Sequence, residues 1–229
     1  MDTTNKVLCR LGLILLVASF NSITLSALAS SEQTTSIQNM SRIGHLVFME
    51  GDVSIDGTEA ELGQELRGKA TIVTGAASDC EIVFNDKNVF RIMQNARATI
   101  DFSSSVLEIA LEKGGVASVL RKLDKVAGND TFRIRSGNAV AGVRGTSFCV
   151  WADEYTTYVC ACNGSVHTED AKGSNEFTLT ATHHTAKIYT RQGASFRTES
   201  AGMLHHNDEG LESLAARIEE KIDWTKLDT

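Results

Sequence analysis

The residues of this chain best suited to chemistry are the cysteines and histidines of its last third. Thiolates and imidazoles are the ligands that zinc and similar metals prefer, and cysteines also form disulfides. Cys160 and Cys162 are separated by a single residue, and four of the six histidines occur as the pairs 183–184 and 205–206. These spacings raise the question of whether the fold brings the side chains together.

A hairpin would do so for the cysteines. The segments 146–152 and 157–163 alternate as strands do and are joined by a short polar loop. This register places Cys149 opposite Cys160, and Cys162 shares the face of Cys160 through the period of two. Three sulfurs are therefore expected on one face.

Three interpretations of this group are open. In the first, Cys149 and Cys160 form a cross-strand disulfide, as suits an exported chain. In the second, two cysteines and two histidines bind zinc or another soft or borderline metal, with Cys149 as a spare thiol or as a replacement for a histidine. The predicted ligands are Cys160, Cys162, His184 and one of His205 and His206. In the third, the cysteines are small buried residues that stay reduced.

The elements that must position these residues are mainly strands. From about 45 to 197 the dominant hydrophobic period is two, as in Leu107, Ile109 and Leu111, and turn-forming residues recur about every eight to twelve residues. The pattern predicts an all-β fold, a sandwich or roll of many short antiparallel strands. Additional strands are expected over 169–206.

A C-terminal helix is predicted over 207–222. Apolar residues recur at helical spacing, Asn207 is a good N-cap, and Asp208 and Glu209 suit the positive end of the helix dipole. The apolar stripe that should pack on the sheet is Leu211, Leu214, Ile218 and Ile222.

The first 29 residues have the features of a signal peptide. Lys6 and Arg10 precede the apolar stretch Leu11–Phe20, and Ala27 and Ala29 supply a small-x-small cleavage site. Residues 30–43 are then a flexible lead-in. The chain is expected to be periplasmic or extracellular, and to touch a membrane only through this segment if it stays uncleaved.

Composition argues against several classes of function. The formal net charge is −7 and no basic cluster occurs, which argues against a nucleic-acid partner. No Gly-x-Ser-x-Gly motif and no other nucleophile set stands out, so an enzyme is not expected. An envelope protein or a small ligand is the expected partner.

The order of turns and strands resembles the FecR-like domain family over about 44–168. The resemblance rests on Gly51-x-Val53, Ile72-x-Thr74-Gly75, Glu112–Val116, Asn163–Val166 and above all Val143-Arg144-Gly145-Thr146-Ser147-Phe148. It implies an all-β module outside the cytoplasm, used for sensing, binding or surface assembly, in which Arg144, Gly145 and Thr146 are structural. The tail containing the cysteines and histidines is also similar to that of one subgroup of the family, which favours the metal or cofactor interpretation.

The founding members of that family are membrane regulators that signal to a sigma factor. No cytoplasmic segment precedes the apolar stretch here, so the first expectation is an exported, non-catalytic binding or sensing module, in which a Cys/His metal site is one of the open interpretations. The alternatives are an envelope or surface scaffold with purely structural cysteines, and a periplasmic regulator of sigma-factor signalling.

Overall fold

The strands pair into one extensive sheet, and burial alternates from residue to residue along them as the sequence predicts. The computed structural model describes residues 42–104, 106–121 and 132–228. The predicted signal segment 1–29 and nearly all of the predicted lead-in lie outside these residues. Strand Lys69–Thr74 shows how the pattern works, because its even-numbered residues are buried and its odd-numbered ones are partly or fully exposed.

The described residues form fifteen strands and one helix. The strands are β1 (Gly44–Glu50), β2 (Val53–Ile55), β3 (Thr58–Glu59), β4 (Glu65–Leu66), β5 (Lys69–Thr74), β6 (Asp79–Phe84), β7 (Asn88–Ile92), β8 (Arg97–Asp101), β9 (Leu107–Leu120), β10 (Phe132–Arg135), β11 (Ala139–Ala152), β12 (Thr156–Asp170), β13 (Phe177–Ala181), β14 (Thr185–Gln192) and β15 (Ser195–Ala201); the helix is α1 (Asp208–Ala216). No helix in the described ranges is long and apolar enough to cross a membrane.

The long strand β9 organises the sheet. Its first half pairs with β8 and β10, and its second half pairs with β7 and β11. The pairing of β9 with β10 is parallel, which departs from the predicted antiparallel pattern. A parallel pair cannot be joined by a tight turn, so no hairpin signal marks it in the sequence.

The main core lies on one face of this sheet and draws on most of the strands. At its centre four phenylalanine rings from β6, β7, β10 and β11 lie with centroids 5.8 to 6.2 Å apart. Three of these ring pairs are tilted or edge-on and one is stacked, and such contacts add to the stabilisation from buried area. The rings belong to Phe84, Phe90, Phe132 and Phe148.

The hairpin of β11 and β12 has the predicted register. Cys149 pairs with Cys160 and Trp151 pairs with Tyr158. The register shifts by one residue beyond Phe148, so the pairing toward the far end of the hairpin differs from the prediction. The shift is a β-bulge, in which one strand accommodates an extra residue.

A second irregularity lies at Gly145. This residue has φ of 135°, and the Thr146 hydroxyl donates to the Asn163 carbonyl at 2.6 Å. A Cβ on Gly164 would lie only 2.0 Å from the Thr146 hydroxyl oxygen. Glycine is therefore needed at 164 for the two strands to approach each other.

Helix α1 covers a second core on the other face of the sheet. Leu211, Leu214 and Ala215 are buried there against residues of β7, β9 and β12. The Asn207 side chain caps the helix by accepting from the Gly210 N–H at 2.8 Å. Ile218 belongs to the same core but lies after the helix.

The helix ends at Ala216, six residues before the predicted end at 222. Glu219 has φ of 57°, the left-handed conformation that closes many helices. Its N–H donates to the Ala216 carbonyl at 3.2 Å, and the Glu220 N–H donates to the Ala215 carbonyl at 3.1 Å. This is the Schellman pattern, formed without the glycine that normally marks it in a sequence.

Candidate metal centre

Strand β12 places two sulfurs on the face covered by helix α1. Cys160 and Cys162 are two residues apart in an extended strand, so both side chains point to the same side. Both residues are fully buried, and their Sγ atoms lie 3.8 Å apart. Cys149, opposite Cys160 on β11, is buried in the same second core.

Two histidines reach these sulfurs from the segments that cross this face. His184 stands just before β14, and its backbone N–H donates to the Cys162 carbonyl at 3.0 Å. His206 lies two residues before the helix begins. The structure thus brings together Cys160, Cys162, His184 and His206.

The four donor atoms have the spacing of a tetrahedral metal site. Nδ1 of His184 is 3.6 Å from Sγ of Cys160, Nε2 of His206 is 3.2 Å from Sγ of Cys162, and the two nitrogens are 3.3 Å apart. All four atoms lie within 4.8 Å of one another. Bonds of about 2.3 Å to sulfur and about 2.05 Å to nitrogen require tetrahedral edges of about 3.8 Å (S–S), about 3.5 Å (S–N) and about 3.3 Å (N–N). The four measured edges agree with these values to within about 0.3 Å.

The outer nitrogens of both rings are fixed by groups that only accept hydrogen bonds. Nε2 of His184 donates to the Asp208 carboxylate at 2.7 Å, and Nδ1 of His206 donates to the Leu204 carbonyl at 2.6 Å. The outer nitrogens therefore carry protons, and each inner nitrogen is left with a lone pair or a second proton. Such an outer partner is the usual companion of a metal-binding histidine, because it fixes the tautomer and the ring orientation.

The thiol pKa values show how the cluster is polarised. The contact with Cys162 and the hydrogen bonds from the two histidines lower the pKa of Cys160 to about 3, although burial opposes this. Burial and the neighbouring Cys160 thiolate raise the pKa of Cys162. For His184 burial acts to lower the pKa, but the contacts with Cys160 and Asp208 outweigh it and raise it. These shifts favour a charged thiolate at Cys160 and a protonated ring at His184, and a metal bound here would displace such protons.

Asp208 is the residue of this cluster that sequence reasoning missed. Its second carboxylate oxygen accepts from Nε2 of His183 at 2.9 Å, so Asp208 contacts both members of one histidine pair. His183, His184 and Asp208 also form a more exposed group of three possible ligands. From the sequence Asp208 was assigned only a favourable interaction with the helix dipole. The sequence feature that indicates these contacts with the histidines is the position of Asp208 beside the helix N-cap.

The other predicted site residues lie nearby but outside the group of four. The ring of His205 stacks on Trp151 with centroids 4.3 Å apart, and its backbone φ of 62° turns the chain there. Cys149 is a free thiol, and so are Cys80, Cys160 and Cys162. Burial raises the pKa of Cys149 well above its usual range.

The fold and the cluster together define an all-β domain with a closed Cys/His centre at its covered face. Residues 70–167 match the family model described as FecR protein. This match confirms the resemblance to the FecR-like domain family that the sequence predicts. No curated protein matches the chain.

Two solved crystal structures, both described as a candidate anti-sigma factor from Parabacteroides distasonis, are similar to the chain. The first is 17% identical with a TM-score of 0.47, over 58% of this chain and 61% of that one. The second is 19% identical with a TM-score of 0.45, over 58% of this chain and 60% of that one. The alignment thus spans about three fifths of each of these neighbours.

Proposed function

We propose that this chain is a non-catalytic FecR-domain binding module that holds one zinc-class divalent ion between Cys160, Cys162, His184 and His206. The observation that carries the proposal is the tetrahedral spacing of the four donor atoms, which occurs together with outer hydrogen-bond acceptors on both histidines. All four ligands come from the protein, as in structural rather than catalytic zinc sites. The ion therefore has a structural role.

The position of the ligands indicates what the ion stabilises. Cys160 and Cys162 lie inside the FecR match of residues 70–167, whereas His184 and His206 lie beyond it. The ion would join the FecR domain to the start of β14 and to the segment that leads into helix α1. The site exists only in the folded chain, so binding of the ion would stabilise the folded state and fix the C-terminal elements on the sheet.

Metal stoichiometry tests the proposal. Purified protein should bind one zinc ion per chain, and Co²⁺ in its place should give tetrahedral d–d bands with sulfur-to-cobalt charge transfer. Cys162→Ser and His206→Gln should abolish both signals. Cys80→Ser is the matched control, because Cys80 is equally buried and free but lies in the main core. Stoichiometry near zero in the parent protein, or loss of binding in Cys80→Ser, would refute the site.

The proposed location is the periplasm or cell exterior, with cleavage after Ala29 so that the mature chain begins near Ser30. The supporting observation is the apolar stretch followed by small residues at the cleavage site. Intact mass of protein from the envelope fraction tests this. A mass that retains residues 1–29 would contradict cleavage.

A second candidate function is regulation in a sigma-factor signalling system, with a protein as partner. It is supported by the FecR domain itself, since proteins of that family act as regulators. Cross-linking in cells distinguishes the candidates, because a regulator should yield a specific partner in the signalling system. An envelope scaffold would instead cross-link to structural envelope proteins, and its cysteines would be found as disulfides.

A further inference from the structure

Cys149 is a buried thiol beside the proposed metal ligands, and it is not itself one of the four ligands. It pairs with Cys160 across β11 and β12, is completely buried in the second core, and is free. We infer that Cys149 is the resolving thiol of an oxidative switch in which Cys160 leaves the metal and forms a cross-strand disulfide with it. This inference rests on the proposed function, because the switch acts on the same metal site.

Backbone spacing favours Cys149 over Cys162 as the disulfide partner of Cys160, even though the Sγ atoms of Cys160 and Cys162 lie 3.8 Å apart in the reduced protein. The Asp153 N–H donates to the Thr156 carbonyl at 3.0 Å, so alternation along the hairpin makes Cys149 and Cys160 a hydrogen-bonded pair with Cα atoms about 5.5 Å apart. Disulfides need Cα separations of about 4.4–6.8 Å, most often about 5.5–6 Å. Two residues apart along a strand, Cys160 and Cys162 have Cα atoms about 6.6–6.8 Å apart, at the outer limit of that range.

The oxidant we propose is hydrogen peroxide, which is small enough to reach a covered thiolate. The Cys160 thiolate attacks one peroxide oxygen, the O–O bond breaks, hydroxide leaves, and Cys160 becomes a sulfenic acid. The Cys149 sulfur then attacks the Cys160 sulfur, the S–O bond breaks, and the oxygen leaves as water with the Cys149 proton. The two sulfurs lose two electrons, and the two peroxide oxygens gain them.

The loss of Cys160 leaves three of the four ligands, so the affinity for the ion falls and the ion is released to a competing chelator. His184 and His206 would then be released from a common centre, and the segment before helix α1 would lose its attachment to β12. Reduction of the disulfide would restore the site. Oxidation and metal release are thus coupled through a single sulfur.

The experiment compares zinc-loaded protein with Cys149→Ser and with the control Cys80→Ser. After treatment with hydrogen peroxide, zinc release is followed with a chromogenic chelator, cross-linked peptides are mapped by mass spectrometry, and zinc binding is remeasured after reduction with dithiothreitol. The parent and Cys80→Ser should release zinc, yield a linked 149–160 peptide, and recover full zinc binding. Cys149→Ser should bind zinc normally but fail to recover it, because Cys160 proceeds to the irreversible sulfinic acid. Cys149→Ala provides a second variant if the serine is not tolerated.

A linked 160–162 peptide in the parent, or full recovery of zinc by Cys149→Ser and Cys149→Ala, would overturn the inference. The disulfide map also separates this inference from the proposed function. If the parent protein binds no zinc, the metal site is refuted. A linked 149–160 peptide in peroxide-treated, metal-free protein would still support the resolving role of Cys149.

Discussion

Replacing Asp208 with asparagine tests whether the proposed metal site depends on the hydrogen bonds behind its ligands. The Asp208 carboxylate accepts from His184 at 2.7 Å and from His183 at 2.9 Å, and its own side chain is 36% exposed. Asparagine keeps a carbonyl oxygen that can still accept from His184, but it removes the negative charge. The change therefore weakens the orientation of one ligand without creating a cavity.

The expected loss follows from the role of such partners. Removal of a group that orients a metal-binding histidine typically lowers metal affinity by about 10–100-fold, or about 1.4–2.7 kcal/mol. The retained carbonyl places Asp208→Asn toward the lower end of that range. The same substitution also removes a favourable helix-dipole interaction of about 0.3–1 kcal/mol in protein stability.

Glu209→Gln is the matched control, because Glu209 is an exposed acid in the same first helical turn. Both variants lose one charge near the helix N-terminus, so the unfolding free energy in chelator should fall in both, and by more in Asp208→Asn because Asp208 also accepts from His183 and His184. Zinc affinity, measured by competition with a chromophoric chelator, should fall only in Asp208→Asn. Equal zinc affinities for the two variants would refute the inference that Asp208 orients His184.

Three further changes test the burial and hydrogen bonding of acidic and apolar residues elsewhere in the fold. Leu214→Asp buries an unpaired charge in the second core and should lower the free energy of unfolding by several kcal/mol, whereas Ser213→Asp on the exposed face should change it by less than about 0.5 kcal/mol. Glu81→Gln removes the charge of a fully buried carboxylate whose partners Arg91 and Arg217 are 21% and 38% exposed, so in urea unfolding it should cost less than the roughly 3–5 kcal/mol of a wholly buried pair but more than Glu112→Gln, which alters an exposed pair worth less than about 1 kcal/mol. Burial acts to raise the pKa of Asp170, but backbone and Asn175 hydrogen bonds lower it. The stability it contributes is therefore present above the unfolded pKa of about 3.9 and is lost as pH falls through the folded value, so the Tm difference between parent and Asp170→Asn should shrink from pH 6 toward pH 3. Equal Tm differences at both pH values, or no cost for Leu214→Asp or Glu81→Gln, would contradict these assignments.

The sequence was sufficient to place the sulfurs because strand geometry is local. A period of two puts Cys160 and Cys162 on one face, and a short loop sets the pairing of Cys149 with Cys160. The choice between His205 and His206 depended on the path of an irregular segment. There His205 takes a positive φ and stacks on Trp151, and no periodic pattern encodes that path.

Two features were beyond sequence reasoning for a similar reason. The helix ends early because Glu219 adopts a conformation usually taken by glycine, so no residue type marked the end. Asp208 contacts two histidines that are 24 and 25 residues earlier in the chain. Contacts at that separation depend on where helix α1 packs on the sheet. The apolar stripe of the helix predicts that it packs there, but it does not predict the position.

Three kinds of interaction hold the C-terminal segment on the sheet, and they act at different points. At its start, His206 lies in the candidate metal centre, and in its middle Leu211 and Leu214 fill the second core. After the helix, Arg217 donates to Glu81 at 2.5 Å, and Arg91 donates to the same fully buried carboxylate. Release of a metal would therefore free the segment around His206 while the apolar and ionic contacts still held the helix. The physical consequence is a local loosening next to Trp151 and Tyr158 rather than the loss of the fold, which is the behaviour that a reversible site within a stable domain requires.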